Sequence, residues 1–168
     1  MGAAAQAVDI GSGQGMGGKY LTFALGAEEY GIIITKVREI IGIMEITAVP
    51  HTPDFIKGVI NLRGRVIPIV ELRVKFGMEL KPYDDRTCII VVDVVGPSGM
   101  VQVGMLVDSV SEVVNMAAQD IESPPDFGAA AHADNIVGLG KIKGKLKILL
   151  DVDKVIGHSL AATLTEIA

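Results

Sequence analysis

The sequence predicts a mainly β protein in which two short-stranded modules share one hydrophobic core. Three observations carry this. Short apolar runs recur with turn residues between them, too short and too evenly spaced for a bundle or an alternating α/β chain. Valine, isoleucine and leucine fill those runs, while the chain holds four Phe, three Tyr and no Trp, which suits sheets packed by branched aliphatics. Finally, the chain echoes itself. Gly31–Ile41 (GIIITKVREII) lies over Gly104–Val114 (GMLVDSVSEVV), with the glycine, a valine (Val37, Val110) and a glutamate (Glu39, Glu112) coinciding. Gly58–Leu72 (GVINLRGRVIPIVEL) lies over Gly138–Val152 (GLGKIKGKLKILLDV), each with a basic-Gly-basic turn and an apolar run closed by an acid, Glu71 or Asp151.

The offset is 73 in the first pair and 80 in the second, so the later copy carries seven additional residues. They fall between Asn115 and Gly138, where Pro124, Pro125 and Gly128 mark a loop. Two independent barrels of about 60 residues each would be marginal, since small domains bury too little surface. The 168 residues are therefore expected to build two modules on a shared core.

Taken in order, residues 1–18 hold six glycines and read as a disordered tail. Gly13, Gly15 and Gly18 match a dinucleotide-binding pattern, but precede the first strand instead of following one. From Lys19, Leu21, Phe23 and Leu25 alternate with Tyr20, Thr22 and Ala24 as in a half-buried strand. Gly26–Glu29 turns the chain into Tyr30–Ile34. Val37–Ile41 fits either a short helical turn or a kinked strand. Pro50 and Pro53 punctuate a loop, with a helical turn expected at Pro53-Asp54-Phe55.

Strands follow at Gly58–Leu62 and Val66–Val70 around Arg63-Gly64-Arg65, then a short helix at Glu71–Phe76 stopped by Gly77. The second module repeats this: strands at Thr87–Val95 and Val101–Val107 about a Gly-Pro-Ser-Gly turn, a hairpin at Ile136–Ile142 and Lys145–Leu150, and a short helix at Asp151–Ile156 with Asp151 or Asp153 as its N-cap. The modules divide at about 19–84 and 85–158. Residues 159–168 read as a C-terminal tail, open to a loosely held helix.

Several function classes are disfavoured. Net charge is −5 with no basic block, which argues against nucleic acid or an anionic membrane as partner. No apolar run approaches the roughly 18 residues of a membrane span, and the N-terminus lacks a secretory pattern. A cytoplasmic location is expected. The one cysteine, Cys88, opens an apolar run and reads as a small buried hydrophobe. His51, His132 and His158 are scattered through loops, and no catalytic or metal-binding motif is present. Neither catalysis nor a cofactor is expected. What stands out is charge at the ends of apolar strands: Glu39 amid Val37, Ile40 and Ile41, and Arg63 beside Leu62. Such charges are either solvated turn residues pairing weakly with each other or the rim of an apolar binding surface.

Gly58–Arg73 (GVINLRGRVIPIVELR), with Glu28–Ile41 (EEYGIIITKVREII), PDFIKG before it, Val107–Val114 (VDSVSEVV) and Val137–Ile156, resembles the CheW family of chemotaxis coupling proteins. NLRG, an apolar run and a DLR-like triplet make up a specific signature, in which Glu71 stands where aspartate is more usual. The resemblance runs from about Tyr20 to Gly157. It implies two SH3-like five-stranded β-barrels packed about a common core. It also implies an adaptor, with one surface on the regulatory domain of the histidine kinase CheA and another on the helical-hairpin tip of a transmembrane chemoreceptor. By that resemblance, kinase contacts fall on Ile34, Val37 and Glu39 in the first barrel and near Glu122 and Phe127 in the second. Receptor contacts fall between the barrels at Gly58, Arg63, Cys88, Val110 and Val113, Arg63 being either a contact or a support of its turn.

Further copies in rings, and a place at the inner face of the membrane through receptor arrays, are implied in the same way. The residues do not separate a flagellar from a non-flagellar chemosensory system. A more remote alternative is an SH3-like peptide-binding module.

Overall fold

A computed structural model describes residues 17–96, 99–123 and 135–156. Among them lie eleven strands: β1 Gly18–Leu25, β2 Glu28–Ile33, β3 Val37–Gly42, β4 Ile56–Leu62, β5 Arg65–Glu71, β6 Cys88–Gly96, β7 Gly99–Val107, β8 Ser109–Met116, β9 Ile121–Glu122, β10 Ile136–Ile142 and β11 Lys145–Leu150. Helices α1 (Leu72–Lys75) and α2 (Val152–Ile156) follow the last strand of each copy, and 3-10 turns occupy Ile34–Lys36 and Ala118–Asp120. No helix among the described residues is long and apolar enough to cross a membrane.

The strands form two sheets, ordered β3-β6-β7-β5-β4 and β8-β1-β2-β11-β10-β9. Matching β1, β2, β3, β4, β5 of the first copy to β6, β7, β8, β10, β11 of the second turns one order into the other. Each sheet therefore takes its leading hairpin from one copy and its remaining strands from the other. Sheets and chain halves therefore do not coincide, since each sheet takes strands from before and after residue 85. The copies meet at two parallel pairings, β2 with β11 and β5 with β7, which set Gly31 beside Leu149 and Gly104 beside Ile69. A Cβ on Gly31 would lie 2.9 Å from Leu149 Cδ2, and one on Gly104 would lie 2.6 Å from Ile69 Cδ1. The repeated glycine is thus explained by packing at the crossing.

Both sheets curl closed in the same way. After β3 the chain runs to Thr47, whose N–H and C=O exchange hydrogen bonds with Val59 of β4 at 2.8 and 2.9 Å. After β8 it turns through Ala118–Asp120 into β9, which pairs with β10. The sixth strand of one sheet is this two-residue closure; its counterpart in the other is a single bridge. The basic-Gly-basic turns match as well. Arg63 and Gly64 have φ of 53° and 86°, Lys143 and Gly144 have 52° and 79°, the left-handed pair that a tight hairpin needs.

Three apolar clusters result. Ile60, Leu62, Ile67, Ile69, Ile89, Val91 and Leu106 fill one barrel. Tyr20, Met116, Ile121 and Leu149 fill the other. Between them lies the largest, built from both copies and including Leu21, Phe23, Ile32, Val70, Leu72, Ile90, Val92, Met105, Leu150 and Val155. Alternation along β6 shows why its apolar run is continuous: Ile89 and Val91 point into a barrel, Ile90, Val92 and Val94 into the shared core. A strand covered on both faces has no polar side to show.

The same fact corrects the reading of β1 as half-buried. Its Tyr20 enters the barrel interior, and Thr22 is buried with its Oγ1 donating to the Glu112 carbonyl at 2.8 Å. Val37–Ile41 resolves as a strand, kinked by a register shift between Val37 and Glu39. At Pro53 the expected helical turn is one hydrogen-bonded turn, Ile56 N–H to Pro53 O at 3.0 Å. Glu71 ends β5, so α1 is shorter than expected. Asp151 caps α2, its Oδ1 accepting from Lys154 N–H at 3.2 Å.

Candidate partner-binding surfaces

The residues singled out in the sequence gather on three structural features. The first is β3 with its leading turn. Ile34 and Val37 are half-buried and pack against the shared core. Val37 sits opposite Val92 and Glu39 opposite Val91. Beyond them Ile40, Ile43 and Met44 are exposed, an apolar edge of which the sequence drew attention only to Ile40. Arg38, displaced by the bulge, pairs with Asp93 at 3.2 Å.

The second feature is β8, the edge of its sheet and the counterpart of β3 in the repeat. Val110 is opposite Phe23 and packs on the shared core; Val113 is opposite Leu21 and is 51% exposed. Val37 and Val110 therefore hold one structural position in two copies. Cys88, the first residue of β6, also packs against the shared core, and its Sγ donates to the Arg86 carbonyl at 3.3 Å. Four of the singled-out residues, Ile34, Val37, Cys88 and Val110, thus surround one core.

The third feature is the closure of the first barrel. Arg63 Nη2 donates to Glu39 Oε1. That bond raises the guanidinium pKa above its ordinary value. A residue expected to face the receptor is therefore bonded to one expected to face the kinase. Gly58 is buried beside them with φ 150°, and a Cβ there would lie 2.2 Å from the Thr47 carbonyl oxygen. Its side-chain position is filled by the closing backbone.

Glu122 lies apart, on β9, where it accepts from Lys141 Nζ at 2.5 Å and raises that ammonium's pKa. Phe127 lies outside the described residues.

Behind these surfaces runs a polar clasp that the reading of the sequence missed. Arg73 of α1 donates from Nε and Nη2 to both oxygens of Asp108, at 2.8 and 2.6 Å, and from Nη1 to Glu79 O at 2.8 Å. Asp108 also accepts from Gly26 N–H at 2.8 Å. The Arg73 guanidinium holds the Asp108 carboxyl below the usual range, against the opposing effect of burial. Tyr83 donates to buried Glu71 at 2.8 Å; burial first and this carboxylate second push the phenol pKa up. Among the described residues no group of three His, Cys, Asp or Glu side chains is placed to hold a metal ion.

Comparison with known proteins agrees with this architecture. The family model described as a CheW-like domain matches residues 19–160. The chain is 40% identical over 157 residues to the chemotaxis protein CheW of Klebsiella aerogenes, covering 94% of this chain and 92% of that one. It is 35% identical over 139 residues to the chemotaxis protein CheW of Rhizobium meliloti, covering 83% and 87%. The crystal structure of the scaffolding protein TtCheW from Thermoanaerobacter tengcongensis superposes with a TM-score of 0.76 at 32% identity, over 86% of this chain and 96% of that one. With the family model spanning most of the chain and two closed β subdomains sharing a core, this protein belongs to the CheW-like family.

Proposed function

We propose that the chain is a non-enzymatic chemotaxis adaptor that couples transmembrane chemoreceptors to the histidine kinase CheA. The observation that carries this reading is the equivalence of β3 and β8. Duplication has produced two strands in matching positions beside one core, each carrying a carboxylate, Glu39 or Glu112, but differing in the side chains they expose. Two non-identical surfaces on one rigid body are what a connector needs. Family membership and the likeness to a scaffolding protein support it.

In this reading Ile34, Val37 and Glu39, with Glu122 and Phe127 at the other barrel, face the kinase regulatory domain. Arg63, Cys88, Val110 and Val113 face the receptor tip, an apolar helix-in-groove contact, and Gly58 acts through the closure that positions Arg63. Further copies join in rings, and receptor arrays hold the protein at the inner side of the membrane.

The test is reconstitution. Receptor-containing vesicles and the kinase are assayed for autophosphorylation with and without this protein. Attractant control of the kinase is expected only when the protein is added; control that is equally strong without it sinks the reading.

A further inference from the structure

Two ion pairs flank the shared core at matching places in the two copies, and they run in opposite directions. Helix α1, in the first copy, carries the cation Arg73, bonded to Asp108 at the β7–β8 corner of the second copy. Helix α2, in the second copy, carries the anion Asp153 at the position that aligns with Arg73. Its Oδ2 accepts at 2.9 Å from Lys36, at the β2–β3 corner of the first copy. Lys36 stands one position beyond strict alignment, since Thr35 aligns with Asp108. Each helix is thus fastened to the corner of the other copy, with the signs exchanged. Both acids are further tied to backbone, Asp108 to Gly26 N–H and Asp153 to Val95 N–H at 2.9 Å, and Lys81 stands 4.0 Å from Asp108.

The arrangement matters because a duplicated chain has a competing way to fold. A copy cannot close on itself. That would set β3 beside β1 and parallel to β2, a crossover needing about a dozen residues, whereas the connection is the three residues Ile34–Lys36. The β7–β8 connection is Asp108 alone. The remaining competitor is homotypic pairing between two chains, first copy with first and second with second. In the first case Arg73 would meet Lys36; in the second, Asp153 would meet Asp108. The side chains of Arg73 and Asp108 are each only 13% exposed, those of Lys36 and Asp153 26% and 33%, so each clash would set a largely buried charge against a partly exposed one of the same sign, where screening is incomplete.

We propose that the opposed polarity of Arg73–Asp108 and Lys36–Asp153 is a pairing key that admits only first-copy to second-copy assembly and rejects the homotypic dimer. Linkage within one chain then makes the permitted pairing intramolecular, through its high effective concentration.

Exchanging the helix charges tests it. R73D/D153R places like charges in the native pairing and opposite charges in the homotypic one. After refolding from urea, light scattering coupled to size exclusion is expected to show at least about tenfold more dimer than the natural chain. Adding K36D and D108K restores opposite signs in the native pairing, and the fourfold variant is expected to return to monomer. A folded R73D/D153R that stays monomeric at every concentration overturns the proposal, because the pairs are then only stabilising. If R73D/D153R does not fold, R73D/D108R decides. It keeps both pairs but gives them one polarity, so homotypic pairing is no longer penalised. A severalfold rise in dimer on refolding at high protein concentration supports the key, and a dimer fraction equal to that of the natural chain overturns it.

Discussion

Arg63, at the left-handed tip of the β4–β5 hairpin, donates a hydrogen bond to Glu39 of β3, and so bridges the first and last strands of the five-stranded sheet. Bond and backbone closure lie together, since the Thr47–Val59 bridge joins the same two ends. Arg63→Glu therefore sets two carboxylates together and, in the proposed reading, also removes a receptor contact. Receptor binding is expected to fall about tenfold or more, with near-native circular dichroism, because the Arg63 side chain is 66% exposed and solvent-exposed pairs contribute little to stability. E39R/R63E restores opposite signs; receptor binding that recovers fully in it would show Arg63 to be a support and not a contact.

The two edge strands should separate by partner. Val37→Glu is expected to weaken kinase binding about tenfold or more while receptor binding holds, and Val113→Glu the reverse. Both keep the fold, Val113 being half exposed and Val37 half-buried at an edge. Paired pull-downs check this, and equal loss for both partners from either change would mean that the surfaces are not distinct.

Gly58→Ala should act through stability. With a Cβ at 2.2 Å from a backbone oxygen and φ at 150°, the closing segment must move, at a cost of about 3 kcal/mol or more. Gly64→Ala, at φ 86° in open space, is expected to cost about 1 kcal/mol. Urea midpoints rank the two, and a Gly58→Ala chain as stable as the Gly64→Ala chain would contradict the closure argument.

Acid stability should report the clasp. The Asp108 carboxyl is held below its ordinary range by Arg73, so the folded state binds fewer protons there than the unfolded chain. Its contribution is complete above about pH 5 and is lost as pH falls through the depressed value. Arg73→Met removes three guanidinium hydrogen bonds, two to Asp108 and one to the Glu79 carbonyl, with an expected loss of about 2 kcal/mol near neutrality and a flatter decline below pH 5. Denaturant melts from pH 7 to pH 3 measure both; an unchanged slope would exclude Asp108 as a source of acid lability.

Much of the fold was legible because its signals are local. Alternation and apolar runs marked most strands, and the repeated glycine, valine, glutamate and basic-Gly-basic turn marked the duplication, since equivalent packing asks for equivalent residues. Other features were not local. That β1 is covered on both faces depends on a barrel interior reached by Tyr20 from one side and a shared core reached by Leu21 and Phe23 from the other. The Arg73–Asp108 clasp joins residues 35 positions apart with no spacing rule to connect them. Glu39 and Arg63 drew attention as charges at strand ends, with weak pairing between such charges one of two readings; that these two bond each other depends on how the sheet curls.

By itself the sequence determined the β class, the two copies, the turn chemistry and, through NLRG and its neighbours, the family. Hydrophobic periodicity and left-handed turn residues act within a few positions and need no partner to be recognised. Only the tertiary structure decided that the copies exchange their leading hairpins, so that each barrel belongs to both. The three-residue link before β3 and the single residue before β8 leave neither copy able to close alone, and the pairing that remains sets Val37 and Val110 at equivalent places beside one core.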